Sequence, residues 1–393
     1  MGIEISEKRT HFQVRTFERI LAGYAGLRVP FARYLTQFFK ENKQMGSKDR
    51  RNASRLCYNY FRLGHAFDGA TLVERLAMAE YLCESQSDIV YIYKPELYDT
   101  MSLPLVEKIA YLKEHADFQL SAVNIFAEEI SPSIALDAYL TNQFQQPDLF
   151  IRLKKSSASR VKAYLKAEDI TFHEIDAYTL AFKNGTSLQA HKPLEGLFEV
   201  QDLSSQQTIS FMQASPRENW WDACAASGGK ALLFLDHFPQ VNLLVSDVRM
   251  SILKNLDERF ANAGIRNYRK RIIDLLADTS EVLGAEQFDG VILDAPCSGS
   301  GTWGRTPEQL SIFRKEQLTE FATLQKNIVT NVAKHVKKGA PLIYITCSVF
   351  AKENEEVVAY IEEELGFTRE KMSYLAGYKQ QADTMFIARL IKK

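Results

Sequence analysis

The chain has 393 residues, 46% hydrophobic and 25% charged, with a formal net charge of −1. That length allows two or three domains and a large core, and the overall charge gives no reason to expect a polyanionic partner. No apolar run approaches a membrane span, MGIEISEKRTH holds no signal-peptide core, and Cys57, Cys83, Cys224, Cys297 and Cys347 form neither a zinc pattern nor a disulfide framework. A reducing, cytoplasmic setting is the expectation, with no metal and no membrane. Residues 10 to 143 read as helical. Val14, Phe17, Leu21 and Tyr24 recur at the spacing of a buried helix stripe. Pro30 suits the first position of the next helix, and Ser47 suits the N-cap of the one after. Further helical patterns cover 70–83, 103–114 and 132–143, so residues 1–145 are expected to form a helical domain.

Charge is distributed less evenly than the total suggests. The first 59 residues carry twelve Lys and Arg against five Asp and Glu. A second basic cluster is Arg152, Lys154, Lys155, Arg160, Lys162 and Lys166. Such clusters, interleaved with Phe and Tyr, suit a phosphate backbone, or else a solvated helix face. Pro147 marks a change of period. Strands at 149–153 and 171–175 around a helix at 156–168 predict a small α+β module over 146–200. From Gln201, strands and amphipathic helices alternate, the pattern of a doubly wound parallel sheet over 201–393. Its strands are expected near 219–223, 242–247, 267–270, 289–294, 341–346 and 384–391.

Two of those strands end in thiols. Gly290-Val291-Ile292-Leu293 runs into Asp294-Ala295-Pro296-Cys297, and Leu342-Ile343-Tyr344-Ile345 into Thr346-Cys347-Ser348. Ligands of an open α/β sheet bind beyond the carboxyl ends of its strands. A free Cys is usually a small buried hydrophobe. Two at the same kind of strand end, one after Asp-Ala-Pro, point instead to a shared site. Trp220-Trp221-Asp222-Ala223 leads into Cys224-Ala225-Ala226-Ser227-Gly228-Gly229-Lys230, a strand, a glycine turn and a helix start. The dinucleotide spacing is missing, and Ala231 stands where a Walker loop needs Ser or Thr. Asp247 ends the next strand, where an acid commonly holds ribose hydroxyls, and Asp274 follows the third, placed for an adenine edge. Either acid could instead be a plain helix N-cap. Together they fit a nucleoside cofactor without phosphates, S-adenosylmethionine being the candidate.

With these pieces assembled, the chain resembles the RsmB-like ribosomal RNA cytosine-5 methyltransferases of the Nop/Sun family. The resemblance rests on DACAASGGK, DAPCSGSGTWGRTPE and YITCSVFAKENEEVV, with Gln201-Asp202-Leu203-Ser204-Ser205-Gln206 similar to the start of the catalytic domain. More loosely, GSKDRR in the helical domain is similar to a NusB-like RNA-binding region. The family has Pro and Thr where this chain has Ser227 and Ala231. It commonly has Arg at the position of Ile252, for which Arg249 or Lys254 could substitute. The resemblance implies a Rossmann-like S-adenosylmethionine-dependent methyltransferase sheet after an all-helical NusB-like domain and a small α+β module. It further implies RNA as partner, 16S ribosomal RNA in particular, with no DNA and a monomeric protein. Cys347 would attack carbon 6 of cytosine, Cys297 would assist release of the methylated base, and Asp294 would hold the N3/N4 edge. The cofactor would lie against Cys224 to Lys230, Asp247, Asp274 and Asp294. A transfer RNA target stays open, as does a ribosome-assembly factor without catalysis. A DNA methyltransferase would not need Cys347, and an amino-methyltransferase would show Asn/Asp-Pro-Pro-aromatic in place of Asp-Ala-Pro-Cys.

Overall fold

A computed structural model describes residues 7–393, so Glu4, part of the charge balance above, lies outside the described residues. The chain divides into two compact units. One comprises the chain up to Glu128, with Ala135–Gln146 and Trp303–Phe313; the other comprises Glu129–Ile134, Pro147–Thr302 and Arg314–Lys393. The segment expected as a separate α+β module thus falls in the same unit as the large sheet. The last part of the first cysteine motif, from Trp303, falls in the helical unit.

In the helical unit, Val14, Phe17, Ile20 and Tyr24 of the helix Glu7–Tyr24 pack with Phe31, Leu35, Leu56 and Phe61. Pro30 and Gly46 are the N-caps of helices Phe31–Glu41 and Ser47–Arg62, one residue from the expected assignments. Proline has no N–H to lose at either position, so the pattern could not separate them. Glu308 accepts the Phe31 N–H at 3.3 Å, filling the place of a capping side chain. Arg62, 1% exposed, donates to the carbonyls of Gln143 (2.6 Å) and Gly304 (2.9 Å) and to Gln146 Oε1 (2.6 Å). These acceptors are neutral, and burial lowers the pKa of the guanidinium.

The second unit holds two sheets. The smaller is formed by β1 (Leu149–Leu153), β2 (His173–Glu174), β3 (Thr179–Phe182) and β4 (Phe198–Val200), in the order β2-β3-β1-β4. The larger contains β5 (Asn219–Asp222), β6 (Asn242–Asp247), β7 (Arg269–Ile272), β8 (Gly290–Asp294), β9 (Pro341–Thr346), β10 (Phe367–Ala376) and β11 (Thr384–Lys392). Its order is β10-β11-β9-β8-β5-β6-β7, parallel from β7 to β9 and antiparallel from β9 through β11 to β10. Strand β5 is flanked by β6 and β8, so the crossovers reverse direction there and open a crevice beyond its carboxyl end. β10, absent from the sequence expectation, is an edge strand in which five of ten residues are polar (FTREKMSYLA), paired only with β11. An edge strand with little burial has no apolar run to announce it.

Trp220 and Trp221, adjacent in β5, are fully buried in the cores on opposite faces of the sheet, as the two-residue period of a strand requires. Gly290 of β8 lies under Trp220, and a Cβ there would come within 2.4 Å of the indole. Gly290→Ala should therefore cost about 1–3 kcal/mol, the usual penalty for overpacking a closed core. Thermal denaturation reads this as a lower Tm; an unchanged Tm would mean the indole has room to shift.

Candidate active site

Strands β8 and β9 pair in parallel with Asp294 opposite Ile345. The Ala295 N–H then donates to the Ile345 carbonyl at 2.9 Å, carrying the alignment one residue past the strand. Beyond it the chains diverge into two loops, and the loops bring Cys297 Sγ and Cys347 Sγ to 3.3 Å. Both cysteines are partly exposed free thiols. Gly301 closes the loop after Cys297: its N–H donates to the Cys347 carbonyl at 2.8 Å, and a Cβ there would lie 1.9 Å from the Thr384 carbonyl oxygen. Only glycine permits that approach.

The two sulfurs have different surroundings. The pKa of Cys297 is pushed up by the hydrogen bond to Cys347, by burial, and by the charges of Cys347 and Glu353. Either sulfur could be the donor in that contact. Lys230 Nζ lies 2.6 Å from Asp294 Oδ2. Burial opposes the ammonium charge, but Asp294, their hydrogen bond and the nearby Cys347 outweigh it and raise the Lys230 pKa.

Beside this pair, a cavity of about 160 Å³ is lined by Ser205, Asp222, Cys224, Ala225, Ala226, Ser227, Gly229, Lys230 and Asp294. The loop from β5 turns through Ala226 (φ 46°) and Gly228 (φ 82°) before helix Gly229–His237 begins. At Gly228 a Cβ would meet Phe260 at 2.7 Å, so both the backbone angle and the packing exclude a side chain. The Ala225 N–H donates to the Ser246 carbonyl at 2.9 Å, fastening the loop to β6. Cys224 is half-buried beside carboxylates, and desolvation followed by Asp222, Asp294 and Asp247 raises its pKa. Asp247 is 6% exposed and accepts from the Arg249 N–H (2.9 Å), Nε (3.0 Å) and Nη2 (3.1 Å). Burial alone would raise its pKa, and the Arg249 bonds pull it below the usual carboxylate range. Asp274 is exposed at the end of β7, where its carboxylate accepts the Leu276 N–H at 2.9 Å. Asp247 and Asp274 are outside the cavity lining, and so is Gly228.

Two residues given no role from the sequence stand out. Asp222 is 1% exposed, and neither of its carboxylate oxygens closes a hydrogen bond with a partner among the described residues, although the Cys224 N–H faces it. Its pKa is pushed up to about 8 by burial and by Asp294, with Asp247 adding and Lys230 opposing. The rule that singled out Asp247, an acid at a strand end, applies equally to Asp222. Glu353, fully buried, binds both cysteine loops. Nothing in a single sequence marks it.

The fit to S-adenosylmethionine turns on that unpartnered carboxyl. A buried acid without a partner suits the cationic end of a ligand, and the glycine turn leaves backbone free to approach it. At 160 Å³ the cavity is below the roughly 300 Å³ of typical small-molecule sites, so it accounts for one end of such a cofactor. A larger cavity of about 760 Å³, lined in part by Arg152, Lys155, Tyr178 and His237, holds neither cysteine nor any of these acids.

The strand order, the closing antiparallel hairpin and the glycine turn after β5 define a Rossmann-like methyltransferase fold. Residues 209–391 match the family described as 16S rRNA methyltransferase RsmB/F. Ribosomal RNA small subunit methyltransferase B of Citrobacter koseri is 28% identical over 265 residues, 63% of this chain and 61% of that protein. The protein of the same name from Yersinia enterocolitica is 33% identical over 226 residues, 55% of this chain and 51% of that one. The matched stretches thus span half to three fifths of these curated relatives. Among solved structures, PH0851 superposes with a TM-score of 0.71 at 20% identity, covering 96% of this chain and 97% of that one. NSun6 from Pyrococcus horikoshii, solved with SFG, gives 0.60 at 16% identity, covering 68% of this chain and 97% of that one. At these identities the structural likeness carries the fold.

Asp222 makes stability depend on pH. The unfolded carboxyl loses its proton near pH 4 and the folded one near 8. Between those values the native state binds the extra proton. The Asp222 contribution is therefore full below about pH 4 and declines as pH rises, by at most about 1.4 kcal/mol per pH unit. Asp222→Asn should flatten this dependence in cofactor-free protein, giving a higher Tm than the parent near pH 8. Parallel slopes for the two proteins would show that Asp222 is not the titrating group.

Proposed function

We propose that the chain is an S-adenosylmethionine-dependent RNA cytosine-5 methyltransferase acting on ribosomal RNA, 16S RNA in particular, through a covalent cysteine adduct. The observation that carries this reading is the 3.3 Å contact between Cys297 and Cys347. Single-cysteine and amino-directed methylation give no reason for two thiols to meet beside Asp294. The RNA assignment draws on the names of the matching family and of the similar proteins. The cofactor assignment draws on the Asp222 cavity and on the neighbour solved with SFG, an analogue of S-adenosylmethionine.

Carbon 5 of cytosine is a poor nucleophile. When Cys347 adds to carbon 6, the ring becomes an enamine whose carbon 5 can attack an electrophile. The cofactor, when bound, supplies a methyl group on a sulfonium. Lys230 occupies one oxygen of Asp294 and leaves the other for the N3/N4 edge of the base, while its ammonium offsets negative charge growing on the ring. Release requires loss of the carbon 5 proton to a base and breakage of the bond between carbon 6 and the Cys347 sulfur. Cys297, in contact with that sulfur, assists its departure by hydrogen bonding to it. Asp222, Asp247 and the turn from Cys224 to Lys230 hold the cofactor, with Asp274 at its nucleoside end. A target base reaches such a pocket only when unpaired or flipped.

RNA contact is assigned to the basic clusters. Lys8, Arg9, Arg15, Arg19, Arg28, Arg33, Lys40, Lys43, Lys48 and Arg51 are exposed on the helical unit, read as NusB-like. In the second cluster Arg152 is turned inward to Gln201 and Asp236, and Lys162 pairs with Glu174, which leaves Lys155, Arg160 and Lys166 exposed. No helix among the described residues is long and apolar enough to cross a membrane. A monomer working in the cytoplasm completes the reading.

Cys347→Ala should reduce methyl transfer by about 1000-fold or more, as loss of a covalent nucleophile does elsewhere. Cys297→Ala should instead accumulate an RNA–protein adduct, visible as a retarded band on a denaturing gel with labelled RNA. A retarded band from Cys347→Ala would reverse the two roles. If calorimetry finds no binding of S-adenosylmethionine, the chain is an RNA-binding assembly factor and not an enzyme.

A further inference from the structure

Glu353 is fully buried in the short helix after Cys347, and its carboxylate reaches both cysteine loops. Oε2 accepts the backbone N–H of Ser298, the residue after Cys297, at 2.8 Å. Oε1 accepts the hydroxyl of Ser348, the residue after Cys347, at 2.6 Å. Gln325 Nε2, from helix Lys315–Ala333, donates to Oε2 at 2.9 Å and to the Pro296 carbonyl at 2.9 Å. The Ser298 N–H and Gln325 Nε2 can only donate and the Ser348 hydroxyl can do so, which favours the ionised carboxylate, while burial works against it and raises the Glu353 pKa. No salt bridge among the described residues neutralises it.

We infer that Glu353 is a positioning residue for the reaction proposed above: it ties the two cysteine loops together, and its uncompensated charge leaves the proton on Cys297 and Cys347 free to attack. The two sulfurs are chemically identical and in contact, so only their neighbours can decide which one bears the proton. Cys297 faces Cys347, Glu353 and the Tyr344 phenol. Cys347 has Lys230 on its side, and Lys230 in turn holds Asp294. An anion beside one thiol and a cation beside the other separate their roles. The raised pKa of Cys297 runs in the same direction.

The test uses the full chain without RNA or cofactor, so it stands apart from the methyltransferase reading. Cys297 and Cys347 are alkylated with limiting iodoacetamide across a pH series, and each is quantified by peptide mass spectrometry. The parent protein should label first at Cys347. Glu353→Gln keeps the side-chain size and removes the charge. It should move Cys297 labelling to lower pH and reduce the Cys347 preference about fivefold, the effect of losing one neighbouring charge. Gln325→Met removes one donor from the carboxylate and makes it protonate more readily, so the same change should appear, smaller, at the acidic end of the series. An unchanged labelling ratio in both variants, with native circular dichroism, would overturn the proposal. With RNA and cofactor supplied, Glu353→Gln should lower kcat with little change in the KM for S-adenosylmethionine. A loss confined to KM would likewise count against it. Absence of turnover in the parent protein would refute the methyltransferase reading and leave the labelling result intact.

Discussion

The parallel register of β8 on β9 is the constraint from which the site follows. Asp294 opposite Ile345 brings the two strands to an end at the same level, and the Ala295–Ile345 hydrogen bond extends that level by one residue. Three residues after Asp294 and two after Ile345, the chain reaches a cysteine. Side chains alternate across a strand, so a slip of one residue would turn one cysteine into the core and leave its partner alone. The buried sequences on either side, Val291-Ile292-Leu293 and Leu342-Ile343-Tyr344-Ile345, pin the register, because every residue in them is packed on one face of the sheet or the other. The cost of sliding this core is what holds two sulfurs at contact distance.

Charge forms the second layer of the design. Asp222, Asp247 and Asp294 gather at the ends of three strands, with Lys230 reaching Asp294 and Arg249 reaching Asp247. Asp222 has no cation of its own, and burial resolves the conflict by keeping its proton on. A cationic ligand would supply the missing charge and displace that proton, so cofactor binding and proton release are linked at this residue. The cavity is thus better suited to a cation than to the phosphates that a glycine turn at a helix start would otherwise attract.

The strands that carry chemistry were legible because each is a short apolar run bounded by Gly, Pro or Asp. β5, β6, β8, β9 and β11 lie within about two residues of their expected positions, the normal scatter of element ends. β10 was not legible, since an edge strand of alternating charge has no hydrophobic signature. The pairing of Cys297 with Cys347 could be anticipated because both follow strands of one parallel sheet. Glu353 could not be, because its contacts with Ser298 and Ser348 depend on how two loops fold back, and loops carry no period. Arg152 misled for a related reason. A charge in a sequence reads as exposed, yet here it satisfies Gln201 and Asp236 inside the unit. The residues that line a site from strand ends are visible in composition and spacing, whereas those that brace it from behind are visible only once the chain has closed.

The departures from the family loop can be weighed on the same terms. Ala231 is fully buried in the core and does not line the cavity, so the missing hydroxyl takes no group away from the ligand side. Ser227 lacks the fixed backbone angle that proline would give, which frees the loop in the unfolded chain and loosens it in the folded one. Arg259 counters this from outside: it reaches Ser227 Oγ at 3.5 Å while anchored to Glu199 (2.9 Å) and the Val200 carbonyl (3.3 Å). Its guanidinium would lie 3.3 Å from a Cβ on Gly229, so it rests against the turn. At the next strand, Arg249 pairs directly with Asp247 and provides the positive neighbour that Ile252 cannot. The Arg259 contact with the loop itself is a long hydrogen bond to a neutral hydroxyl, whereas the ion pair is with Glu199, so salt would act on the anchor of Arg259 and not on the loop directly.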